Sequence, residues 1–468
     1  MDAHHRRILG GFLLLSFAVR TYLAWRFHGF QTGDDLEILQ QALHRSTGFA
    51  HAAWEVRSLF IPDVIVAPFL RLAWAAGLRD PLQLAFAARL PFVFFSILNI
   101  ALVYRLGSRW YGGSTASWAA ILYGSHWIPI VYGSTLLPRV IAVSCILTAA
   151  LLLEDDSSSA AVVLAGVIAS LAATARYSEI IFAASLAALF GARRPRRLPL
   201  FLAGCVAGFI LFAGLYDWLT WGRWFGSLIE FAQLTFVRGD ASSLTVAQAP
   251  WWYLANAGRW IALSALPLLA VAVRDGDRRR FLAFVAFPIA CLSTIFHKEF
   301  RYVQVIVPFV CLFAAHGFTL WYSRPERRRL AIACLALSIP LGLGGLGNVM
   351  RRSTNAVDAA RWLASQHFTD VALSQPWAYG GSVFLGSGVR VIDLDVPPRA
   401  DTLRAVPGDC SAIAMFASDV DALPAQWEIR VRARAKRMFS GRGGRTVIAF
   451  YTPCPTPSPL LSQGRRSS

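Results

Sequence analysis

The stretch FHKEFRYVQVIVPF, residues 296–309, places four ionisable side chains between two long apolar runs. They are His297, Lys298, Glu299 and Arg301. Burying a charge without partners is costly, and ionisable residues at membrane depth are functional candidates by default. The apolar runs on both sides predict helices, so this charged stretch marks a junction between two of them.

The composition predicts an integral membrane protein. The chain has 468 residues, of which 56% are hydrophobic and only 15% are charged. Its mean hydropathy is +0.49. A soluble globular protein of this length is far less apolar.

The basic residues predict topology and argue against a nucleic-acid partner. Lys and Arg number 45 against 27 Asp and Glu, a net charge of +18. The excess falls in short clusters between apolar spans, namely RRPRR (193–197), RDGDRRR (274–280) and RPERRR (324–329). Such clusters are the positive-inside signal that keeps loops in the cytoplasm.

A hydrocarbon core of about 30 Å calls for about 20 apolar residues per helix. Scanning the chain on that basis predicts about eleven transmembrane helices. Their approximate spans are 8–25, 88–106, 115–132, 138–153, 159–175, 179–191, 198–216, 255–273, 281–297, 302–320 and 329–348.

The charge pattern places residues 26–87 outside, because HHRR precedes the first span and GDDLE follows it. No small-residue cleavage site follows the first span, which predicts an uncleaved anchor. The run at 60–77 is interrupted by Pro62, Asp63 and Pro68. As a re-entrant or interfacial helix it leaves every Arg-rich loop after it inside, and 297–302 then lies outside with everything after 349.

The predicted organisation is a membrane domain over 1–349, a small external α/β domain over 350–455 and a disordered tail over 456–468. Four strand-like runs separated by Gly, Pro and Asp support the second domain, namely DVALSQ (370–375), VRVIDLDV (389–396), SAIAMFA (411–417) and RTVIAFY (445–451). The basic stretch at 430–437 is interpreted as a solvated face, with contact to anionic lipid as the alternative.

Five of the seven cysteines lie in apolar spans and are interpreted as small buried hydrophobes. Cys410 and Cys454 flank strand-like segments and can pair if that region faces an oxidising compartment; the sequence leaves this open. The cysteines form no metal-ligand spacing, and neither a metal nor another cofactor is predicted.

The external segment 32–58 collects a second group of ionisable residues. Asp34 sits where the loop meets a helix and is a candidate general base for an acceptor hydroxyl. Asp35 is a second candidate, with stabilisation of the helix N-terminus as an equal alternative. The segment also carries supporting candidates, namely His44, Glu55 and Arg57.

The segment at 297–301 has the chemistry to bind a phosphate carried on a lipid. Lys298 and Arg301 can stabilise negative charge on a phosphate leaving group, and His297 can donate a hydrogen bond to it. The alternative is a salt-bridged junction in which Glu299 pairs with Arg301 or Lys298.

HKEFRYVQVIVP resembles the H-K-E-x-R-F motif of glycosyltransferase family 22, the membrane mannosyltransferases that include GPI mannosyltransferase III. The N-terminal loop matches that family in order as well. Its elements are TGDD (32–35), LHR (43–45), Gly48, AWE (53–55) and RSLFIP (57–62). Weaker matches extend the resemblance over roughly residues 10–325.

The resemblance implies a GT-C fold and transfer of mannose from a polyprenyl-phosphate carrier on the external face. Asp34 takes the place of the family's Asp, its general base. Asp35 stands where Glu is usual, and Thr32-Gly33 replaces His-Pro. His297, Lys298, Glu299 and Arg301 fall on the second motif. Arg176, in the weak match ARYSE (175–179), and Arg57 are expected to help to hold the phosphate.

The resulting hypothesis is an inverting transfer that forms an α-mannoside on a glycolipid or lipid-linked glycan acceptor. A GT-C transferase of another sugar is the alternative, and a non-enzymatic lipid transporter or scaffold is a more distant one. A bacterial inner membrane with a periplasmic site is favoured, with an ER membrane and a lumenal site as the alternative.

Overall fold

The apolar runs fold into helices through most of the chain. The computed structural model describes residues 3–154, 158–237, 247–386, 388–394, 400–423, 428, 431–441 and 444–454. Up to residue 234 the α-helices are α1 (Ala3–Arg26), α2 (Gly33–Thr47), α3 (Ala67–Ala75), α4 (Pro81–Tyr111), α5 (Gly113–Ser125), α6 (Trp127–Tyr132), α7 (Arg139–Glu154), α8 (Ser159–Ala175), α9 (Ile180–Arg193), α10 (Leu198–Phe209), α11 (Tyr216–Trp221) and α12 (Gly226–Ala232).

The later α-helices are α13 (Trp252–Ala255), α14 (Ala257–Trp260), α15 (Leu266–Ala272), α16 (Arg278–Phe281), α17 (Phe287–Ser293), α18 (Val307–Tyr322), α19 (Arg328–Leu343), α20 (Thr354–Ser365), α21 (Gly381–Leu385), α22 (Ala400–Arg404) and α23 (Ala417–Val420).

Short π-helical and 3-10 segments join or extend several of these helices. The π-helical segments are Ile61–Val66, Ile210–Leu215, Gln233–Val237, Val273–Asp277 and Leu282–Ala286. The 3-10 segments are Tyr177–Glu179, Pro195–Arg197, Leu263–Ala265, Phe300–Val303, Leu346–Arg351 and Pro376–Tyr379.

The chain divides into two compact units. The first contains residues 1–25 and 37–348, and the second contains residues 26–36 and 349–468. The membrane domain expected from the sequence ends at 349 and includes all of 26–87. The structure groups residues 26–36, which carry Asp34 and Asp35, with the C-terminal unit instead. The predicted tail at 456–468 lies outside the described residues.

Among the described residues, three helical stretches are long and apolar enough to cross a membrane: Pro81–Tyr111, Pro195–Trp221 and Arg328–Ser365. Large apolar side chains on them are exposed, and Val206 is 60% exposed. A hydrocarbon environment would cover such side chains without cost. The number of eleven crossings stays a prediction.

The helices α8 and α10 pack with their backbones in close contact because both carry glycine at the crossing. A Cβ atom on Gly204 would lie 2.1 Å from the carbonyl oxygen of Val163. One on Gly166 would lie 2.2 Å from the carbonyl oxygen of Phe201. Small residues at such crossings allow membrane helices to approach closely.

The run at 60–77 forms the six-residue π-helical segment Ile61–Val66 followed by the nine-residue helix α3. At 1.5 Å per residue such a stretch is about 22 Å long, shorter than the hydrocarbon core of about 30 Å. This length supports a re-entrant or interfacial helix, which stays a prediction.

The C-terminal unit contains a five-stranded sheet within its described residues, in the order β2-β1-β3-β5-β4. Its strands are β1 (Asp370–Ser374), β2 (Arg390–Leu394), β3 (Ser411–Phe416), β4 (Ala435–Phe439) and β5 (Val447–Thr452). β1 pairs in parallel with β2 and β3, whereas β5 is antiparallel to β3 and β4. The predicted small α/β domain is therefore present.

Two details of this unit were not settled by the sequence. β4 occupies part of the basic stretch 430–437, and its residues 435–438 are exposed, as a solvated face should be. Charged side chains on such an edge strand discourage pairing with another chain. Cys410 and Cys454, at the ends of the paired strands β3 and β5, form a disulfide.

Candidate functional site

The charged stretch between α17 and α18 forms a network centred on Glu299. Its Oε1 lies 2.9 Å from His297 Nε2, and its Oε2 forms an ion pair with Arg301 Nε. Burial acts to raise the pKa of the Glu299 carboxyl, but the hydrogen bond from His297 and the charges of Arg301, His297 and Arg139 outweigh it, so the pKa lies below its ordinary value. The carboxylate therefore keeps its charge at neutral pH and loses it only in acid.

A second guanidinium joins this network from the start of α7. Arg139 Nε donates to Glu179 Oε1 over 2.6 Å, and its Nη2 donates to Ser178 Oγ over 3.0 Å. The Arg139 guanidinium lies 4.3 Å from the centre of the Tyr302 ring, and that of Arg301 lies 5.6 Å from it. Tyr302 thus brings the cations of α7 and of the charged stretch to one ring.

Arg176 is buried at the start of the 3-10 turn that carries Ser178 and Glu179. Arg176 is among the site residues predicted from the sequence, whereas Arg139 and Glu179 are not. Arg139 lies inside a predicted apolar span, and an ionisable residue in such a span is a signal that would have identified it.

Lys298 is also buried, and its ammonium group is occupied by the backbone. Its Nζ donates to the carbonyl oxygens of Ile295 and Gln248 over 2.5 and 3.1 Å. Its own N–H donates to Gln248 Oε1 over 3.1 Å. Burial lowers the pKa of Lys298. In this structure Lys298 fastens the charged stretch to residue 248.

An aromatic cluster supports the charged stretch through Phe300. The Phe300 ring centre lies 4.9 Å from that of Trp252 and 5.6 Å from that of Trp127. The Arg259 guanidinium lies 5.5 Å from the same ring. Phe300 is buried, so the residue between Glu299 and Arg301 anchors both in the packed first unit.

The supporting candidates of the N-terminal loop contact three different partners. Glu55 pairs with Arg223 over 2.5 Å, and Arg57 lies 5.5 Å from the Trp54 ring. His44 Nδ1 lies 2.8 Å from the carbonyl oxygen of Phe49. None of these contacts joins one of the three candidates to another, and the contact of Glu55 reaches Arg223, 168 residues away in the chain.

Two acids that the sequence analysis did not select as site residues organise the same loop. Glu37 Oε1 accepts from the Trp54 N–H over 2.7 Å and lies 3.1 Å from His51 Nε2. Asp63 accepts from Gln41 Nε2 over 2.9 Å and from the Tyr216 hydroxyl over 3.0 Å. An acid within the apolar run at 60–77 was the available signal for Asp63.

The two candidate acids, Asp34 and Asp35, lie in the first turn of α2 and belong to the second unit. Asp35 is 1% exposed, and its carboxylate accepts from the Gln31 N–H over 2.9 Å and from Thr32 Oγ1 over 3.4 Å. Asp34, beside it, is partly exposed. Asp35 therefore shapes the turn, and Asp34 is the more accessible carboxylate. Within the described residues, no group of three or more His, Cys, Asp or Glu is arranged to hold a metal ion.

Solved structures share this fold. ArnT from Cupriavidus metallidurans, bound to undecaprenyl phosphate, matches with a TM-score of 0.63 at 13% identity over 96% of this chain and 98% of that one. AglB from Archaeoglobus fulgidus, an oligosaccharyltransferase in complex with an inhibitory peptide and a dolichol-phosphate, matches with a TM-score of 0.51 at 11% identity over 95% and 74%. The fold is that of the GT-C polytopic membrane glycosyltransferases, as the sequence analysis predicted.

Sequence comparison then identifies the family. Mannosyltransferase APTG1 of Arabidopsis thaliana is 22% identical over 307 residues, which are 62% of this chain and 55% of the relative. The chain thus spans about half the length of that relative. The model of the Alg9-like mannosyltransferase family matches residues 34–365, from Asp34 to the end of α20. The chain belongs to this family, and the prediction of a membrane mannosyltransferase family is confirmed.

The pair of Arg139 and Glu179 leads to a prediction about stability. Their side chains are 5% and 2% exposed, so Arg139→Leu leaves a buried carboxylate without its cation. We expect a loss of about 3–5 kcal/mol in the free energy of unfolding, and a smaller loss when Glu179→Leu is added. Thermal unfolding of the purified protein measures both.

Arg193→Leu is the matched control, because its pair with Glu154 is solvent-exposed on the Arg side. Its effect should stay within about 1 kcal/mol. If the double variant were less stable than Arg139→Leu alone, the Arg139 guanidinium would not be what stabilises the buried Glu179 carboxylate.

Proposed function

We propose that this protein transfers mannose from a polyprenyl-phosphate donor to a hydroxyl group of a glycolipid or lipid-linked glycan. The observation that carries this proposal is the convergence of His297, Arg301 and Arg139 on Glu299 and Tyr302, in a chain of the Alg9-like mannosyltransferase family. Cations held by ion pairs and aromatic faces are suited to a phosphate. Two proteins of the same fold were solved with a lipid phosphate.

The donor phosphate would be bound by Arg301, with a hydrogen bond from His297. Glu299 keeps both side chains in place before the donor arrives, so little reorganisation is needed when the phosphate replaces part of its contacts. Arg139 adds positive charge at Tyr302, and Arg176 and Arg57 are further contributors. Lys298 acts through the loop it fastens, because its ammonium group already donates to two carbonyl oxygens.

The acceptor would be activated by Asp34. Its carboxylate takes the proton of the acceptor hydroxyl as that oxygen forms a bond with the anomeric carbon of mannose. The bond from this carbon to the phosphate oxygen breaks, and its electron pair leaves with the polyprenyl phosphate. Attack opposite the leaving group inverts a β-linked donor into an α-mannoside. The extra negative charge on the departing phosphate is what Arg301 and its neighbours would stabilise.

We propose that the reaction takes place on the external side of the membrane, in the bacterial periplasm or, alternatively, the ER lumen. The positive-inside pattern supports this. The Arg-rich loops are predicted to be cytoplasmic, and one predicted span separates the segment at 297–302 from such a loop on either side, which puts the segment on the external side. The disulfide between Cys410 and Cys454 supports it as well, since disulfides persist in oxidising compartments.

A donor panel tests the proposed sugar. The purified protein is incubated with polyprenyl-phosphate mannose, glucose or arabinose and a lipid extract from cells that lack it. We expect incorporation from the mannose donor at least tenfold above the others. Preferential transfer of glucose or arabinose would show that the donor sugar is not mannose, although the fold and the mechanism would be unaffected. Incorporation from none of the three donors would contradict the proposal.

Asp34→Asn tests the proposed base. The amide keeps the size of the side chain but cannot accept the hydroxyl proton, so we expect turnover to fall by roughly 10²–10⁴-fold. Asp421→Asn, at an exposed acid of the same unit, should turn over normally. The assignment is wrong if the Asp34→Asn variant, folded and inserted, transfers mannose at the normal rate.

Arg301→Ala tests the phosphate contact. Charge-assisted hydrogen bonds are worth about 1.5–3 kcal/mol, so the donor concentration needed for half-maximal rate should rise roughly ten- to hundredfold. Initial rates over a range of donor concentration measure this. Arg324→Ala, in the exposed basic loop before α19, should leave the donor requirement unchanged. An unchanged requirement in Arg301→Ala would make Arg301 a purely structural residue.

A further inference from the structure

The connection between α1 and α2, residues 27–32, has no regular secondary structure. Backbone N–H and C=O groups that are buried need hydrogen-bond partners, which helices and sheets normally supply. Here the partners come from a distant part of the same unit. They lie at residues 352–354, immediately before and at the start of α20.

Four hydrogen bonds join the two segments. Phe30 and Ser353 exchange a reciprocal pair, in which the Phe30 N–H donates to Ser353 Oγ over 3.0 Å and the Ser353 N–H donates to the Phe30 carbonyl oxygen over 2.9 Å. The Gly29 N–H donates to Thr354 Oγ1 over 3.3 Å. Arg352 Nη1 donates to the carbonyl oxygen of Phe27 over 3.1 Å.

Side-chain packing reinforces this contact. His28 Nε2 lies 3.1 Å from Asp358 Oδ1, one turn into α20. Phe30 is fully buried, with its ring centre 6.1 Å from that of Phe384. At Gly29 the backbones touch, because a Cβ atom there would lie 2.2 Å from the backbone nitrogen of Thr354.

The hydrogen bonds continue from this contact to the first turn of α2. Ser353 holds the N–H of Phe30, and the carboxylate of Asp35 holds the N–H of Gln31 and the hydroxyl of Thr32. Asp34 follows Thr32 by two residues. The backbone that carries Asp34 is therefore fixed at both ends, at Phe30 by the start of α20 and at Asp35 by its own side chain.

We propose that Arg352, Ser353, Thr354 and Asp358 are positioning residues for the catalytic base, Asp34. They hold the 27–32 connection, and through it Asp34, in the position from which its carboxylate takes the acceptor proton. This inference rests on the proposed function, in which Asp34 is the base. It gives the C-terminal unit a task in the reaction, performed by the start of α20 rather than by the sheet, and α20 is included in the family match at residues 34–365.

Gly29→Ala is the direct test, because the methyl group of the introduced alanine must push the 27–32 connection away from the backbone of Thr354. A displacement of about 1 Å in a catalytic group costs on the order of 10²-fold in rate, so we expect kcat to fall roughly ten- to hundredfold. Binding of undecaprenyl phosphate should keep its affinity and its stoichiometry; a loss of folded protein would lower the stoichiometry. Gly10→Ala is the matched control, since no atom of the described residues lies within 4 Å of its Cβ position.

Ser353→Ala provides a second, milder variant that removes the acceptor for the Phe30 N–H without adding volume. We expect kcat to fall with an unchanged donor KM, whereas Ser365→Ala at the exposed far end of α20 should have no effect. If Asp34→Asn abolishes transfer while Gly29→Ala and Ser353→Ala keep the normal kcat, the proposed positioning role is wrong, whereas the assignment of Asp34 as the base is supported. If Asp34→Asn transfers mannose normally, both the assignment of Asp34 as the base and the proposed positioning role are wrong.

Discussion

The shared use of Glu299 by His297 and Arg301 is the interaction on which the proposed donor site depends. A cationic segment between two apolar helices would be costly without a counter-charge. Glu299 supplies that charge and also fixes the direction of both neighbours. The same pairing can hold cations ready for a phosphate, because a bound anion can take over contacts that the carboxylate makes in its absence.

The surrounding polar groups follow the same rule. Glu179 holds Arg139, and Asp63 is held by Gln41 and Tyr216. In each case residues from different helices meet, so the ion pairs and hydrogen bonds also fix how the helices of the first unit pack.

The sequence was sufficient for the membrane class, the family, the charged stretch and four of the five strands, because each depends on local composition or a short motif. It did not predict contacts between residues far apart in the chain. Glu179 is 40 residues from Arg139, and Ser353 is 323 residues from Phe30. It also missed β4, because exposed Lys and Arg on an edge strand look like a solvated loop when only their polarity is considered.

Lipid analysis of cells that lack this protein tests most directly whether it adds a mannose to a lipid-borne acceptor, as we propose. A lipid or lipid-linked glycan shorter by one hexose should accumulate in those cells, and the intact protein, but not its Asp34→Asn variant, should restore the full-length species. Lipid and glycan profiles identical with and without the protein would contradict the proposal.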